Sequence, residues 1–178
     1  KDYSKPKDFV TIGWIGDHGS IHYLESMQPV FEKIGRRFPG KVELKIICDV
    51  FFDCAHIPVR KVMWSAESEV EELKSIDIGV MPLKDDPWSW GKCGLKILQY
   101  FGVGVPAVCT PVGVNRDVVA PGLNGAWAKT HEEWISALSR FIEDPDLRRT
   151  YGLAGRVTLE QGYTREINAP RLLAAITG

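Results

Sequence analysis

Short apolar runs alternate along the chain with longer stretches in which apolar residues return every three or four positions. The runs are rich in Val and Ile, and glycine, proline or polar residues separate them from the next stretch. Continuous apolar runs of this kind are typical of strands that are buried on both faces of a parallel sheet. They predict six strands, at residues 9–16, 42–48, 59–64, 77–83, 106–110 and 124–128.

The stretches between these strands predict helices. After Ser20, apolar side chains form one stripe along a single helix that ends at residues 38–40. The stripe consists of Ile21, Leu24, Met27, Phe31 and Ile34. Further helices are predicted from Ser65 to Leu73 and over residues 92–102, with Gly104 as the stop signal of the latter.

Three more helices are predicted in the last third of the chain. Thr130 and Glu133 have the spacing of a capping box, which precedes an apolar stripe of Trp134, Ala137, Leu138 and Phe141. Asp144 and Pro145 predict a cap and a first helical residue for the next helix. Pro170 is predicted to open the last helix.

The alternation of strands and helices predicts the fold class. It indicates an α/β protein with a Rossmann-like, doubly wound parallel sheet of about six strands and helices on both faces. In such sheets, ligands bind beyond the carboxyl ends of the strands. The loops that we expect to form a site are therefore residues 16–20, 49–56, 64–68, 83–94 and 110–117.

Composition narrows the possible functions. The chain of 178 residues is 44% hydrophobic, which is enough for one domain with a buried core. Its net charge of −1 gives no basic field for nucleic acid or a membrane surface, and no window approaches the ~20 apolar residues of a spanning helix. Residues 1–8 are interpreted as a linker, so we expect residues 9–178 to be one domain of a longer protein.

The cysteines and the acidic pair near the centre of the chain predict no metal site. The cysteines lack metal-type spacing and are interpreted as reduced core thiols of a cytoplasmic protein; they are Cys48, Cys54, Cys93 and Cys109. Asp85 and Asp86 precede Pro87 and are interpreted as a solvated turn. Trp88 and Trp90 either line a ligand site or are buried under a long loop, and both alternatives stay open.

Two predicted loops have the composition of phosphate-binding segments. Gly16, Asp17, His18 and Gly19 follow the first strand, and small residues there let backbone amides approach an anion at a helix start. The alternative is a tight turn. The second loop carries Lys92, Cys93, Gly94 and Lys96 at a helix start, which offers roughly half a positive charge. Its two lysines share a helix face; the alternative is a solvated lysine pair.

The order and spacing of several segments resemble the C-terminal half of group 1 (family 4) glycosyltransferases, which have two facing Rossmann-like domains. The resemblance covers nearly the whole chain. It rests on residues 12–16 (Ile-Gly-Trp-Ile-Gly), 77–83, 92–100 (Lys-Cys-Gly-Leu-Lys-Ile-Leu-Gln-Tyr), 104–108 (Gly-Val-Pro-Ala-Val), 110–115, 124–125 and 146–156. No single segment is decisive, but together they are specific.

The resemblance implies a site for a nucleotide diphosphate sugar of the UDP or GDP type. Amides of Lys92, Cys93 and Gly94 and of residues 16–19 would hold the diphosphate, with Gln99 on the ribose. Trp64, Ser65 and Glu69 would meet the base. The family usually retains anomeric configuration and needs no metal or other cofactor. A glycan or lipid-linked acceptor and the catalytic residues would belong to an N-terminal half. The whole enzyme would be cytoplasmic or peripheral at the inner membrane face, and this chain alone inactive.

The chain departs from the family pattern at two acidic positions. Gln99 and Gly91 stand where many members have glutamates. A glutamine can bond a ribose hydroxyl, but without the strength of a carboxylate. Asp86 or Ser89 are candidates to replace the first glutamate, and Lys92 and Lys96 to replace the basic residues of the first loop.

Functions from other classes also stay open. One alternative is a nucleotide-sugar binding or scaffold domain that has lost catalysis, and another is a sugar-nucleotide epimerase. A third is an NAD-dependent oxidoreductase with Asp49 on the adenine ribose. For that role the glycines have the wrong spacing, and Asp49 lies 30 residues after Gly19 instead of the usual ~20.

Overall fold

A single parallel sheet forms the centre of the protein. The computed structural model describes residues 9–177, and within them the sheet has six strands. They are β1 (Val10–Ile15), β2 (Val42–Cys48), β3 (Val59–Met63), β4 (Ile78–Met81), β5 (Ala107–Cys109) and β6 (Gly125–Trp127). Their order is β3-β2-β1-β4-β5-β6, and every neighbouring pair is parallel. The predicted fold class is confirmed.

Helices cover both faces of this sheet. They are α1 (Ile21–Glu25), α2 (Gln28–Arg37), α3 (Glu69–Lys74), α4 (Pro87–Trp90), α5 (Leu95–Gly102), α6 (Asn115–Val118), α7 (His131–Glu143), α8 (Pro145–Gly162) and α9 (Arg165–Thr177). Helices α2 and α7 pack on one face with Trp14 and Leu44 of the sheet. Helix α5 packs on the other face with Ile15 and Ala107. Alternate residues of the strands thus serve two separate cores.

The caps predicted at the start of α7 and α8 are confirmed. Thr130 and Glu133 form the capping box, in which the Glu133 amide donates to Thr130 Oγ1 at 3.2 Å. Asp144 Oδ1 accepts from the Leu147 amide at 2.8 Å. The apolar stripe of α7 is buried as predicted at Trp134, Leu138 and Phe141.

The prediction of one helix after Ser20 was wrong. The segment divides into α1 and α2, which are separated at Ser26 and Met27. Pro29 lies in the first turn of α2, and proline both lacks an amide donor and disfavours a helical residue before it. A continuous helix is therefore interrupted just ahead of Pro29, although the apolar stripe continues across the break.

Three other helix starts also differ from the prediction. Helix α3 begins at Glu69, because Ser65 instead forms a turn in which its Oγ accepts from the Ser68 amide at 3.3 Å. Helix α5 begins at Leu95, since Gly94 has a φ of +70° that an α-helix does not allow. Pro170 lies inside α9, whose described side chains are exposed or half-buried, so water can reach the carbonyl that proline leaves without a partner.

The cysteines fit the prediction of core thiols in part. Cys48 and Cys109 are buried and Cys54 is half-buried, but Cys93 is exposed, and all four are free. Burial raises the pKa of Cys54 to about 11 and of Cys109 to about 12, which makes both thiols unreactive. Within residues 9–177, no helix has the length and apolar character needed to cross a membrane. The predicted linker, residues 1–8, lies outside the described part of the chain.

Candidate functional site

A cavity of about 420 Å³ lies at the carboxyl ends of the central strands. It is bounded by the loop after β1, the end of β2, the residue after β3, and helices α3 and α5. Most of the site residues predicted from the sequence line it. The lining consists of Ile15, Gly16, Asp17, His18, Asp49, Trp64, Glu69, Leu95, Lys96 and Gln99.

Three of the predicted residues form one hydrogen-bonded group in this cavity. Gln99 Nε2 donates to Glu69 Oε1 at 2.9 Å, and Trp64 Nε1 donates to Glu69 Oε2 at 2.6 Å. These side chains come from α5, the start of α3 and the residue after β3, so the sheet topology brings them together. Ser65, which the sequence placed with them, does not line the cavity and bonds Ser68 instead.

Two lysines extend the site along the start of α5. Lys96 lines the cavity, and its Nζ lies 5.4 Å from the centre of the Trp14 ring. Burial lowers the pKa of Lys96 from its ordinary value, while the charge of Asp17 opposes this effect. Lys92 Nζ lies 5.3 Å from the Tyr23 ring, in a narrow cleft that Lys96 also borders. The two ammonium groups therefore occupy neighbouring positions beside aromatic rings.

The backbone at the start of α5 depends on glycine. Gly94 has a φ of +70°, and a Cβ atom there would lie 3.0 Å from Val114 Cγ1. The first amides of a helix have no partner within the helix, and their N–H groups point outward from its N-terminal end. With Lys92 and Lys96 beside them, these amides give the carboxyl edge of the sheet a positive end.

The loop after β1 is a tight turn as well as a wall of the cavity. The amides of Ser20 and Ile21 both donate to the Asp17 carbonyl at 3.0 Å, so they are turned inward. A Cβ at Gly16 would lie 2.2 Å from the Trp14 ring, which explains the glycine there. The sequence left open whether this loop is a tight turn or binds an anion through its amides. The turn already uses the amides of Ser20 and Ile21, so these two are not available to an anion.

His18 and Asp49 form a pair at the rim of the cavity. His18 Nδ1 and Asp49 Oδ2 are 2.6 Å apart. This hydrogen bond and the Asp49 charge raise the pKa of His18, and the bond to His18 lowers the pKa of Asp49. Both side chains are substantially exposed. The sequence suggested a role for Asp49 only in the alternative of a dehydrogenase. Its contact with His18 was not predicted, because the two residues lie 31 positions apart and no local sequence pattern connects them.

The segment before α5 is mostly exposed, whereas one interpretation of the sequence had its tryptophans buried under a long loop. Trp88 is 77% exposed, so burial under a long loop was wrong for this residue. Asp86 caps α4, with Oδ1 accepting from the Ser89 amide at 2.8 Å, and Ser89 is buried against Tyr23. Neither Asp86 nor Ser89 lines the cavity. Cys93 and Gly19 are exposed, and neither lines the cavity.

The described side chains include no cluster with the composition of a metal site. Across residues 9–177, no three His, Cys, Asp or Glu side chains converge closely enough to hold an ion. The cationic groups of the site are instead Lys96 of α5, Lys92 just before this helix, and the helix start. The arrangement can bind a ligand that is anionic at one end and has planar and hydroxyl-bearing parts at the other.

A parallel sheet with such a cavity beyond its carboxyl ends is the arrangement of Rossmann-like nucleotide-binding domains. Residues 56–144, half of the chain, match the sequence model of the glycosyl transferases group 1, and the chain belongs to this family. The matched residues run from before β3 to the end of α7 and include Trp64, Glu69, Lys96 and Gln99. The sequence has no significant match among curated proteins.

Solved structures share the fold at low sequence identity. Sucrose-phosphate synthase (tll1590) from Thermosynechococcus elongatus superimposes with a TM-score of 0.78 at 17% identity, over 97% of this chain and 46% of its own. Anabaena HepE, in complex with UDP and glucose, superimposes with a TM-score of 0.70 at 14% identity, over 96% of this chain and 49% of its own. The C-terminal domain of LpcC, a glycosyl transferase group 1 family protein from Francisella tularensis, superimposes with a TM-score of 0.66 at 15% identity. The match covers 87% of this chain and 86% of that domain. The chain thus spans about half the length of the first two proteins.

Proposed function

We propose that the chain is the donor-binding half of a retaining glycosyltransferase of the hexosyltransferase type. It would bind a nucleoside diphosphate sugar whose hexose the whole enzyme transfers to a glycan or lipid-linked acceptor. The observation that carries this proposal is the order of groups in one cavity. Lys96 lies in the first turn of α5, Gln99 lies one turn further along, and Trp64 and Glu69 lie beyond it.

The positive end of the cavity suits a diphosphate. Lys92 and Lys96 together with the amides at Gly94 supply the cationic groups that phosphate oxygens require. The loop of Gly16, Asp17, His18 and Gly19 would cover the same phosphates from the other side. Because these protein cations already compensate the phosphate charge, we expect binding without a metal ion and with equal affinity in EDTA.

The other end of the cavity suits a nucleoside. Trp64 is half-exposed and offers an aromatic surface to a base, while its indole nitrogen is engaged by Glu69. Gln99 lies three residues after Lys96 on the same helix face, about 4.5 Å further along α5. A ribose lies at this distance from the diphosphate in a nucleotide. We assign Gln99 to the ribose, and Trp64, Ser65 and Glu69 to the neighbourhood of the base.

The relatives support a donor site on one half of a longer enzyme. HepE was solved with UDP and glucose, which favours a UDP-type donor, and GDP remains the alternative. The chain spans less than half of sucrose-phosphate synthase, so the acceptor site and the catalytic residues would lie on another domain. We therefore expect this chain alone to bind nucleotide weakly and to transfer no sugar.

The test is calorimetry of the chain with UDP, GDP, ADP, dTDP and NAD. We expect one nucleoside diphosphate to bind selectively, which identifies the base. Binding of NAD alone would contradict the proposal in favour of an oxidoreductase. If none of the five binds, the full-length protein is measured with the same panel, and a lack of binding there also contradicts the proposal.

A second candidate is a binding domain without catalysis. The observation that favours it is the absence of carboxylates at positions 91 and 99, which are glycine and glutamine. The two candidates differ in turnover by the full-length protein. Transfer of the sugar from the bound donor to an acceptor, with release of the nucleoside diphosphate and the anomeric configuration retained, supports the transferase, and binding without any turnover supports the scaffold.

A further inference from the structure

We infer that Glu69 is the carboxylate that accepts hydrogen bonds from the ribose hydroxyls and that it selects ribonucleotides over 2′-deoxyribonucleotides. In this arrangement Gln99 and Trp64 are positioning residues, which orient the carboxylate. The inference rests on the proposed function, because it concerns the same cavity. It moves the main ribose contact from α5, where Gln99 lies, to the first residue of α3.

The hydrogen bonds of Glu69 leave room for a ligand. Gln99 Nε2 occupies one acceptor position on Oε1, and Trp64 Nε1 occupies one on Oε2. Each carboxylate oxygen has two acceptor positions, so both oxygens retain capacity. Glu69 is half-buried and lines the cavity, which places this capacity within reach of a bound molecule.

The chemistry of a ribose favours the carboxylate over the amide. A ribose presents two neighbouring hydroxyl donors, and the two oxygens of a carboxylate can accept from both at once. Bonds to an ionised acceptor are about twice as strong as neutral ones. Gln99 has one acceptor oxygen, and its amide nitrogen is already directed at Glu69. Gln99 therefore orients the carboxylate more readily than it replaces it.

The other carboxylates of the cavity are less suited to this role. Asp49 is already paired with His18, whose Nδ1 lies 2.6 Å from Asp49 Oδ2. Asp17 lies in the loop after β1, near enough to Lys96 to influence its pKa and therefore at the phosphate end. Glu69 is the carboxylate that contacts Gln99, one helical turn beyond Lys96. The order of the groups along α5 matches the order of diphosphate and ribose in a nucleotide.

The helix that carries Glu69 is fastened to the sheet. Lys45 of β2 is fully buried, and its Nζ donates to the Glu72 carbonyl at 3.0 Å and to the Glu72 carboxylate. Lys45 also donates to Ser75 Oγ, just after the end of α3. These bonds hold the second half of α3, which begins one turn after Glu69, against β2. A site with a fixed carboxylate loses less entropy on binding than one that must order it.

The experiment compares ribonucleotides with their 2′-deoxy counterparts by calorimetry. The probes are UDP with 2′-deoxy-UDP, and GDP with 2′-deoxy-GDP. The variants are Glu69→Gln, Gln99→Ala and the control Glu71→Gln, which removes the same charge from an exposed position of α3. A site built to bond a hydroxyl discriminates strongly against the analogue that lacks it. We expect the unchanged chain and Glu71→Gln to prefer the ribonucleotide at least about tenfold.

In Glu69→Gln we expect the ribonucleotide to bind about tenfold more weakly and the deoxynucleotide nearly as before, so that the preference disappears. In Gln99→Ala both nucleotides should bind more weakly, while some preference for the ribonucleotide persists. If Glu69→Gln keeps the preference and Gln99→Ala loses it, Gln99 is the acceptor and the inference is overturned. A preference that survives in both variants also overturns it.

Failure of the inference can be told apart from failure of the proposed function. If no nucleotide binds to the full-length protein, the proposed function is wrong. If nucleotides bind and only the ribose preference is insensitive to Glu69, the proposed function stands and the inference alone is wrong. Thermal melting of each variant identifies a loss of binding that is caused by unfolding.

Discussion

The Lys96 ammonium group lies 5.4 Å from the centre of the Trp14 ring. Trp14 lies at the end of the central strand β1, and Gly16 allows its ring to occupy the space beneath the loop. A cation above an aromatic face is attracted to it, by about 0.5–2 kcal/mol depending on solvent exposure. The contact therefore holds Lys96 over the cavity, where we propose that a diphosphate binds.

This geometry predicts that Lys96 of α5 and Lys92, three residues before this helix, contribute to nucleotide affinity more than to folding. Lys92→Ala and Lys96→Ala should each weaken binding of UDP or GDP by about tenfold, because each removes a charge-assisted hydrogen bond. The melting temperature should change little. The control is Lys33→Ala, an exposed residue of α2. Calorimetry with unchanged affinity in both site variants would show that the phosphate site is elsewhere.

The left-handed backbone of Gly94 predicts a different kind of defect. Gly94→Ala should lower the free energy of unfolding by about 1–2 kcal/mol, because a side chain is disfavoured at φ of +70° and its Cβ would press on Val114. This corresponds to a melting temperature lower by about 2–8 °C.

Gly91→Ala is the matched control for that substitution. Gly91 has a φ of −80°, and the nearest atom to an added Cβ is 3.7 Å away. Thermal melting should therefore separate the two alanine variants. Equal stability of both would indicate that the backbone at Gly94 can relax, and that the start of α5 is less constrained than its geometry suggests.

The sheet was predictable from the sequence because burial on both faces makes its central strands mainly apolar. Helix ends were less predictable, since they depend on single events. Pro29 breaks a stripe that still looks continuous, and Gly94 delays α5 by three residues through its φ angle alone. Such features change the backbone without changing the hydrophobic pattern.

The site was predictable in outline but not in its contacts. The resemblance to a family placed Trp64, Glu69, Lys96 and Gln99 at one edge of the sheet, and the structure brings them into one cavity. The bond between Gln99 and Glu69 joins residues 30 positions apart on different elements. Spacing along a sequence carries no information about such a pair, because the topology of the sheet determines it.

Lys45 illustrates the same limit and leads to a third prediction. It lies within the apolar run of β2, yet it is fully buried and bonded to Glu72 and Ser75. Lys45→Met keeps an unbranched side chain but removes these bonds and leaves Glu72 without its partner. We expect the free energy of unfolding to fall by about 2 kcal/mol or more. Amides of α3 should exchange hydrogen faster.

The control for Lys45 is Lys41→Met, which changes an exposed lysine just before β2. Denaturant unfolding gives the stability of both variants, and hydrogen exchange locates the effect. Protection of α3 that is unchanged in Lys45→Met would contradict the role of Lys45 as the anchor of this helix. The inference about Glu69 would then lose the argument that its carboxylate is held in place.

The pair of His18 and Asp49 predicts a pH dependence. The hydrogen bond to Asp49 raises the pKa of His18 above its ordinary value of ~6.5, and that of Asp49 is lowered from ~3.9. A raised histidine pKa stabilises the folded state fully below ~6.5, and the contribution is lost as the pH rises through the folded value. A lowered carboxylate pKa stabilises above ~3.9, and its contribution is lost as the pH falls through the folded value.

The contribution of the pair is therefore largest between about pH 4 and 6.5 and declines at higher pH. Because both side chains are exposed, the effect on stability is small, and it is best measured as a difference between the protein and His18→Gln. Denaturant midpoints over pH 4 to 9 should converge for the two proteins at the upper end. The control is His131→Gln, which changes an exposed histidine of α7. A difference that stays constant across this range would indicate that His18 acts through packing and not through its charge.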